Sequence, residues 1–375
     1  MSAENRALWQ FLKKSSPRLL WKKPRLLLKV MRQFLRARVL GKTSVFGVDF
    51  AITFACNLNC QHCLSKAFHE LHDPRRDCLS TKEIVSIIEE CRRNGIFVFV
   101  LQGGEPLAHP GLEEIIEACA PKENYVILLT NGMAVTEEKL ARYRELGVDR
   151  LDFSIDSWIP EEHDAFRRRE GAFRRVRQAM ESARGFGLKV SIAVTVTNET
   201  LHTEGIQGLF QYCITERIPV QIFVPQRCGN WRHKEDFQLT EENHRYLDDL
   251  NERYGFIKRD IHGTFGEQGC PALRHSMYIT AKGDVIPCPF IHISFGNLRR
   301  ERLEDILKRA ETAPYFADRY PRCLAAEHDQ FIEEVLSKTF DAEELPISVE
   351  AAFFGESRRV AAVGISPDSC CEVRA

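Results

Sequence analysis

No uninterrupted apolar run in this 375-residue chain approaches the ~18 residues a membrane span needs, so stretches such as Ile96 to Leu101 read as strands. Net charge is nearly absent as well: 52 basic residues stand against 53 acidic ones, a balance that argues against a nucleic-acid binder. Acids are missing from one place in particular. Met1 to Val48 carries twelve Lys and Arg but one acid, so the head is basic and the body acidic. A secretory signal with a cleavage site is not found either. With thirteen cysteines in a chain this long, the expected setting is a reducing cytosol and not a disulfide framework.

Those cysteines cluster at ligand spacings. Cys56, Cys60 and Cys63 lie in the stretch Phe-Ala-Cys-Asn-Leu-Asn-Cys-Gln-His-Cys, directly after an apolar run, Phe46 to Phe54, that reads as a buried strand. Closely spaced thiolates suit a soft metal. A structural zinc site would need four ligands, and its usual second pair is missing nearby, leaving His62 or Cys78 to complete it. An iron-sulfur cube needs only three protein ligands if a small molecule takes its fourth iron.

The spacing is similar to that of the radical S-adenosylmethionine enzymes. That resemblance implies a 4Fe-4S cluster on Cys56, Cys60 and Cys63 whose open iron chelates S-adenosylmethionine. It further implies an electron donor such as flavodoxin or ferredoxin, and a 5'-deoxyadenosyl radical that abstracts hydrogen from a substrate. His62 stands where the family usually packs an aromatic residue near the adenine. Gln102-Gly103-Gly104-Glu105-Pro106 resembles, residue for residue, the family's motif for the methionyl ammonium: the glycines would let backbone approach the ligand, and the glutamate would offer an acceptor.

Asn131, in Thr130-Asn131-Gly132, and Ser154 and Asp156, in Ser154-Ile155-Asp156-Ser157, resemble polar elements that touch the ribose or methionyl end. Turn chemistry produces the same residues. Arg167 resembles an arginine often retained in relatives, available to the S-adenosylmethionine carboxylate or to Asp164 or Glu170 on the surface. Arg168 stands where those relatives usually carry glycine.

Six strand patterns alternate with amphipathic helices from Val48 to Val224, which indicates a parallel sheet with covered faces. Six units are too few for a closed eight-stranded barrel. The resemblance implies a partial (β/α)6 TIM-like barrel, with a doubly wound sheet as the alternative. Either places chemistry at the carboxyl ends of the strands, where the cysteine loop falls.

Beyond the barrel, Cys270 and Cys288 flank a predicted β-hairpin with a Lys282-Gly283-Asp284 turn, and Cys323 follows. This resembles the opening of a SPASM or shorter twitch extension, which implies one auxiliary 4Fe-4S cluster on Cys270, Cys288 and Cys323. Its fourth iron is left to His328, Glu327, Cys228, water or substrate. Cys91, Cys119 and Cys213 fall in predicted helices and read as core, while Cys370 and Cys371 sit in the tail.

The expected organisation is a basic amphipathic segment at 1–45, the barrel at 46–235, a linker helix and cluster region at 236–330, and a tail at 331–375. In the head, Leu27, Leu28, Met31, Phe34 and Leu35 share one helical side and Arg25, Lys29, Arg32 and Arg36 the other. The apolar side would dock on the body, or residues 17–40 would touch a membrane peripherally. The substrate stays open between peptide, lipid and small metabolite. Rival readings are a non-catalytic zinc or iron-sulfur protein, and a radical methyltransferase, which would want a cobalamin domain or methyl-carrying cysteines that the sequence lacks.

Overall fold

The computed structural model describes residues 23–40, 45–68, 73, 75–234, 238–261, 269–317 and 320–354. Nine short strands carry the architecture: β1 (Gly47–Thr53), β2 (Val98–Gly103), β3 (Tyr125–Thr130), β4 (Arg150–Ser154), β5 (Lys189–Thr195), β6 (Val220–Phe223), β7 (Ile257–Arg259), β8 (Ser276–Ile279) and β9 (Val285–Ile286). They form one sheet in the order β7-β6-β5-β4-β3-β2-β1-β8-β9, parallel throughout until β9 turns back on β8. From β1 to β7 the order follows the chain without the reversal of a doubly wound sheet, so the fold is a partial TIM-like barrel.

Local chemistry sets the helices between strands. Thr81–Arg93 begins at Ser80 with a capping box, in which the Ser80 side chain accepts from Glu83 N–H and Glu83 reaches back to Ser80 N–H. Its Ile84, Ile87, Ile88 and Cys91 face the sheet and are buried. Cys119 and Cys213 are fully buried too, the core role their helical setting predicts.

Two features exceed the six expected units. Helix Glu241–Tyr254 leads into β7, a seventh parallel strand too short to announce itself by periodicity. Strand β8, from the extension, pairs with β1 from Gly47↔Ser276 to Phe50↔Ile279. Segments on both sides of residue 236 therefore share one sheet.

The basic helix α1 (Pro24–Leu40) lies across the amino ends of the strands. Leu26 and Val30 pack with Phe46 and Phe97, Lys23 bonds Asp149 at 2.5 Å and the Asn124 carbonyl, and Arg25 pairs with Glu123. Docking therefore uses a different face from the one expected. Leu28, Met31 and Leu35 point outward, 66%, 46% and 53% exposed, because the ion pairs at Lys23, Arg25 and Lys29 turn the basic side toward the acidic bottom of the barrel. The side chain of Phe34, residues 17–22 and the tail from 355, with Cys370 and Cys371, lie outside the described residues.

Candidate active site

The first three cysteines occupy the loop that leaves β1 at the carboxyl end of the sheet. Cys60 is buried, Cys63 half-buried and Cys56 reachable from solvent. Donors converge on their sulfurs: Leu58 N–H reaches Cys56 Sγ at 3.4 Å, Asn131 Nδ2 reaches it at 3.7 Å, and Arg167 Nη1 reaches Cys60 Sγ at 3.5 Å. Ser65 and Lys66 N–H groups serve Cys63. Desolvation raises the Cys63 thiol, and the neighbouring Cys60 sulfur adds to it. A thiol-only set, with N–H groups directed at the sulfurs, is the donor chemistry of an iron-sulfur cluster. Among the described residues no three His, Cys, Asp or Glu side chains converge as a single metal ion would require.

Gly103 and Gly104 pack against the backbone that leads into the cysteine loop. Gly104 N–H donates to the Thr53 carbonyl at 2.7 Å and Glu105 N–H to Ala55 at 2.9 Å, so this turn is laced to the end of β1 just before Cys56. A Cβ on either glycine would collide with the Thr53 or Ala55 carbonyl, and Gly103 has φ +137°. The close approach is to the cysteine loop's own backbone.

Glu105 is likewise turned inward, fully buried. Its Oε1 accepts from Leu107 N–H and the Thr130 hydroxyl, and its Oε2 from Asn131 N–H at 2.8 Å. The carboxylate thus ties the end of β2 to the end of β3 and presents Asn131 to Cys56 and Asn57. Pro106 opens the short 3-10 turn that follows.

Asp156 is also committed within the protein. Its Oδ2 takes a 2.6 Å bond from Arg167 and its Oδ1 accepts from Thr195 N–H. Arg167, buried, therefore bridges Asp156 and Cys60, not Asp164 or Glu170, since Asp164 accepts from Gly171 and Phe173 N–H to start the next helix. Arg168 adopts φ +53°, a left-handed backbone that glycine takes at lower cost. Ser154 sits half-buried at the carboxyl end of β4. His62 stacks on Phe166 at 4.6 Å, and burial pushes its pKa down to about 4, leaving a neutral ring.

Cys270, Cys288 and Cys323 are scattered along the chain yet brought together. Cys270 N–H bonds the Tyr320 carbonyl at 2.9 Å, and the hairpin of β8 and β9 carries Cys288 to the same place. Burial raises all three thiols, and each lies close enough to a fellow thiol for that charge to raise it further or to be raised by it. Backbone N–H groups of Ala272, Leu324, Phe290, Ile291 and Ala325 serve these sulfurs, again a fit to cluster ligation.

Of the residues considered for the fourth position, Cys228 lies beside Cys63 instead, and His328 Nδ1 accepts from Phe331 N–H as a helix cap. Glu327 accepts from Arg259 at 2.6 Å and from Cys323 N–H at 3.0 Å. In the loop after β6 the sequence reading named Cys228 alone and missed Gln226 and Asn230. Gln226 Nε2 donates to Cys323 Sγ at 3.6 Å, while Asn230 donates to the carbonyls of Cys63 and Cys60. Its one signal was its place at a strand's carboxyl end. In the lumen, Asp49 accepts from Gln102 at 3.0 Å, and burial with the charge of Asp260 pushes its pKa up to about 7.

Comparison with known proteins agrees with this architecture. A family model of the radical SAM superfamily matches residues 50–207, and a SPASM model, an iron-sulfur cluster-binding domain, matches residues 270–325. The chain is 26% identical over 298 residues to the AdoMet-dependent heme synthase of Nitratidesulfovibrio vulgaris, covering 70% of this chain and 79% of that one. It is 29% identical over 288 residues to the mycofactocin maturase MftC of Mycolicibacterium smegmatis, covering 72% and 70%. In fold it is similar to Streptococcus suis SuiB bound to the precursor peptide SuiA, with a TM-score of 0.58 at 17% identity over 75% of this chain and 69% of that one. With both domain models matched in the order their cysteines predict, the chain belongs to the radical S-adenosylmethionine superfamily of enzymes and carries an iron-sulfur SPASM extension.

Proposed function

We propose that Cys56, Cys60 and Cys63 hold a 4Fe-4S cluster for S-adenosylmethionine, and that Cys270, Cys288 and Cys323 hold one auxiliary 4Fe-4S cluster facing the same cavity. Residues 46–235 would be the radical-generating barrel and 236–330 the second-cluster region. The observation that carries this reading is the loop from Gln226 to Asn230, which touches both thiol sets. When bound, the first cluster supplies the electron that splits the sulfonium into methionine and a 5'-deoxyadenosyl radical, which takes hydrogen from the substrate.

The chain's own residues hold and shield. Gly103, Gly104, Glu105 and Pro106 brace the cysteine loop, and Asn131 stands beside Cys56 at the methionyl end. Ser154 at the end of β4 serves the same ligand. Asp156 fixes Arg167, whose guanidinium steadies Cys60, and the neutral His62 ring offers an apolar face to the adenine. A dry lumen keeps the radical from water. Asp49 and Asp260 face the substrate there, and reduced flavodoxin or ferredoxin delivers the electron.

Anaerobic purification tests this. Wild type should carry about eight irons, and a Cys56→Ala/Cys60→Ala/Cys63→Ala variant about four. Only protein with the first triplet intact should convert S-adenosylmethionine to 5'-deoxyadenosine when reduced. A colourless zinc protein without this conversion would overturn the reading.

A peripheral membrane contact from the cytosol is favoured by one observation, the outward Leu28, Met31 and Leu35 beside exposed Arg25 and Arg32. Flotation with anionic vesicles should be lost in a Leu28→Glu/Met31→Glu variant; equal flotation of both proteins would remove it.

A further inference from the structure

The second thiol set provides three sulfurs, and a four-iron cluster has four corners. Cys228 lies beside Cys63 and His328 caps Phe331 N–H, while Glu327 gives Oε2 to Arg259 and Cys323 N–H and keeps Oε1, buried without a hydrogen bond, 3.4 Å from His244 Nε2. Gln226 bonds a sulfur of the set directly. It is 5% exposed, its Nε2 lies 3.6 Å from Cys323 Sγ, and its Oε1 is buried with no hydrogen-bond partner. A buried amide oxygen held against a thiol and left unpaired is costly unless something occupies the space it faces.

We propose that the Gln226 carboxamide oxygen is the fourth ligand of the auxiliary cluster, bound to the iron that Cys270, Cys288 and Cys323 leave open. This rests on the reading that those three thiolates hold a cluster. The same side chain then does two things: its oxygen binds iron and its N–H donates to the Cys323 sulfur.

Both acts have one electronic consequence. A neutral oxygen donor in place of a fourth thiolate makes the cluster site one charge less negative, and a hydrogen bond to sulfur withdraws further electron density. Each raises the reduction potential, which suits a cluster that accepts an electron from a substrate radical. A carbonyl oxygen is also a harder and weaker donor to iron than a thiolate, so this corner exchanges ligands most readily.

The test uses full-length protein carrying Cys56→Ala/Cys60→Ala/Cys63→Ala, so that the auxiliary cluster is observed alone, by iron content, EPR and redox titration. Absence of any cluster in this background would refute the three-thiolate reading itself. With a cluster present, Gln226→Cys should lower its midpoint potential and slow its conversion to a three-iron form under mild ferricyanide by at least several-fold. Gln226→Leu should speed that conversion by a similar factor. A Gln226→Cys protein with the parent's potential, EPR signal and rate of iron loss would overturn the assignment, even if Gln226→Leu failed to fold.

Discussion

The two thiol sets reach the same end of the barrel by opposite routes. Cys56, Cys60 and Cys63 ride on one loop, whereas Cys270, Cys288 and Cys323 come from a turn, a hairpin and a distant helix start. In the first set the supporting residues are themselves motif-like: Gly103 to Pro106 and Asn131 brace Cys56 from the next two strand ends. In the second, the support is backbone N–H groups and one glutamine with no motif around it. A contiguous loop makes ligand geometry a local property, while a dispersed set exists only after the chain has folded.

The sharpest break of this comparison is replacement of any cysteine in the first loop. Cys60→Ala should bring 5'-deoxyadenosine formation down to the uncatalysed background, because no partial ligand set can orient the sulfonium. The matching change in the second set, Cys288→Ala, should leave that cleavage within a few-fold while iron content falls by about half. Equal losses of cleavage in both would mean that the sets act as one centre.

Arg167 separates positioning from ligation within the first set. Arg167→Ala strands the buried Asp156 and should cost roughly 3–5 kcal/mol in denaturant unfolding. Arg167→Lys keeps the charge but not the paired geometry, so it should recover part of the stability and less of the cluster's potential.

At the opposite end of the barrel, Leu26→Ala should cost about 2–5 kcal/mol, since Leu26 fills the space between Phe46 and Phe97. Leu28→Ala on the outer face should stay within about 0.5 kcal/mol. Equal effects would show that α1 docks by its other side.

A further effect concerns pH. Burial raises Asp49 from its ordinary 3.8 to about 7, so the folded protein holds a proton that the unfolded chain releases near pH 4. Stability should therefore fall as pH rises from about 4 to 7, and Asp49→Asn should flatten that part of the curve in urea melts.

The alternation of six strands with amphipathic helices and the core cysteines were legible because each depends on periodicity or spacing within a few residues. Strand β7 was not, being three residues long, and neither was the pairing of β8 with β1. Gly103 and Glu105 were legible as positions, but their bracing of the cysteine loop and of the end of β3 was not. Residue type alone cannot say whether a carboxylate faces a ligand or is already satisfied by Thr130, Leu107 and Asn131.

The amino-acid order by itself determined that three thiols leave the first strand together and that the chain repeats a βα unit, since ligand spacing and hydrophobic period are written in neighbouring residues. Folding alone decided which face of α1 turns outward, that Arg167 touches Cys60, and that Gln226 meets Cys323 across 97 residues of chain. Those contacts follow from ion pairs and strand pairings between distant segments, whose energies no local window contains.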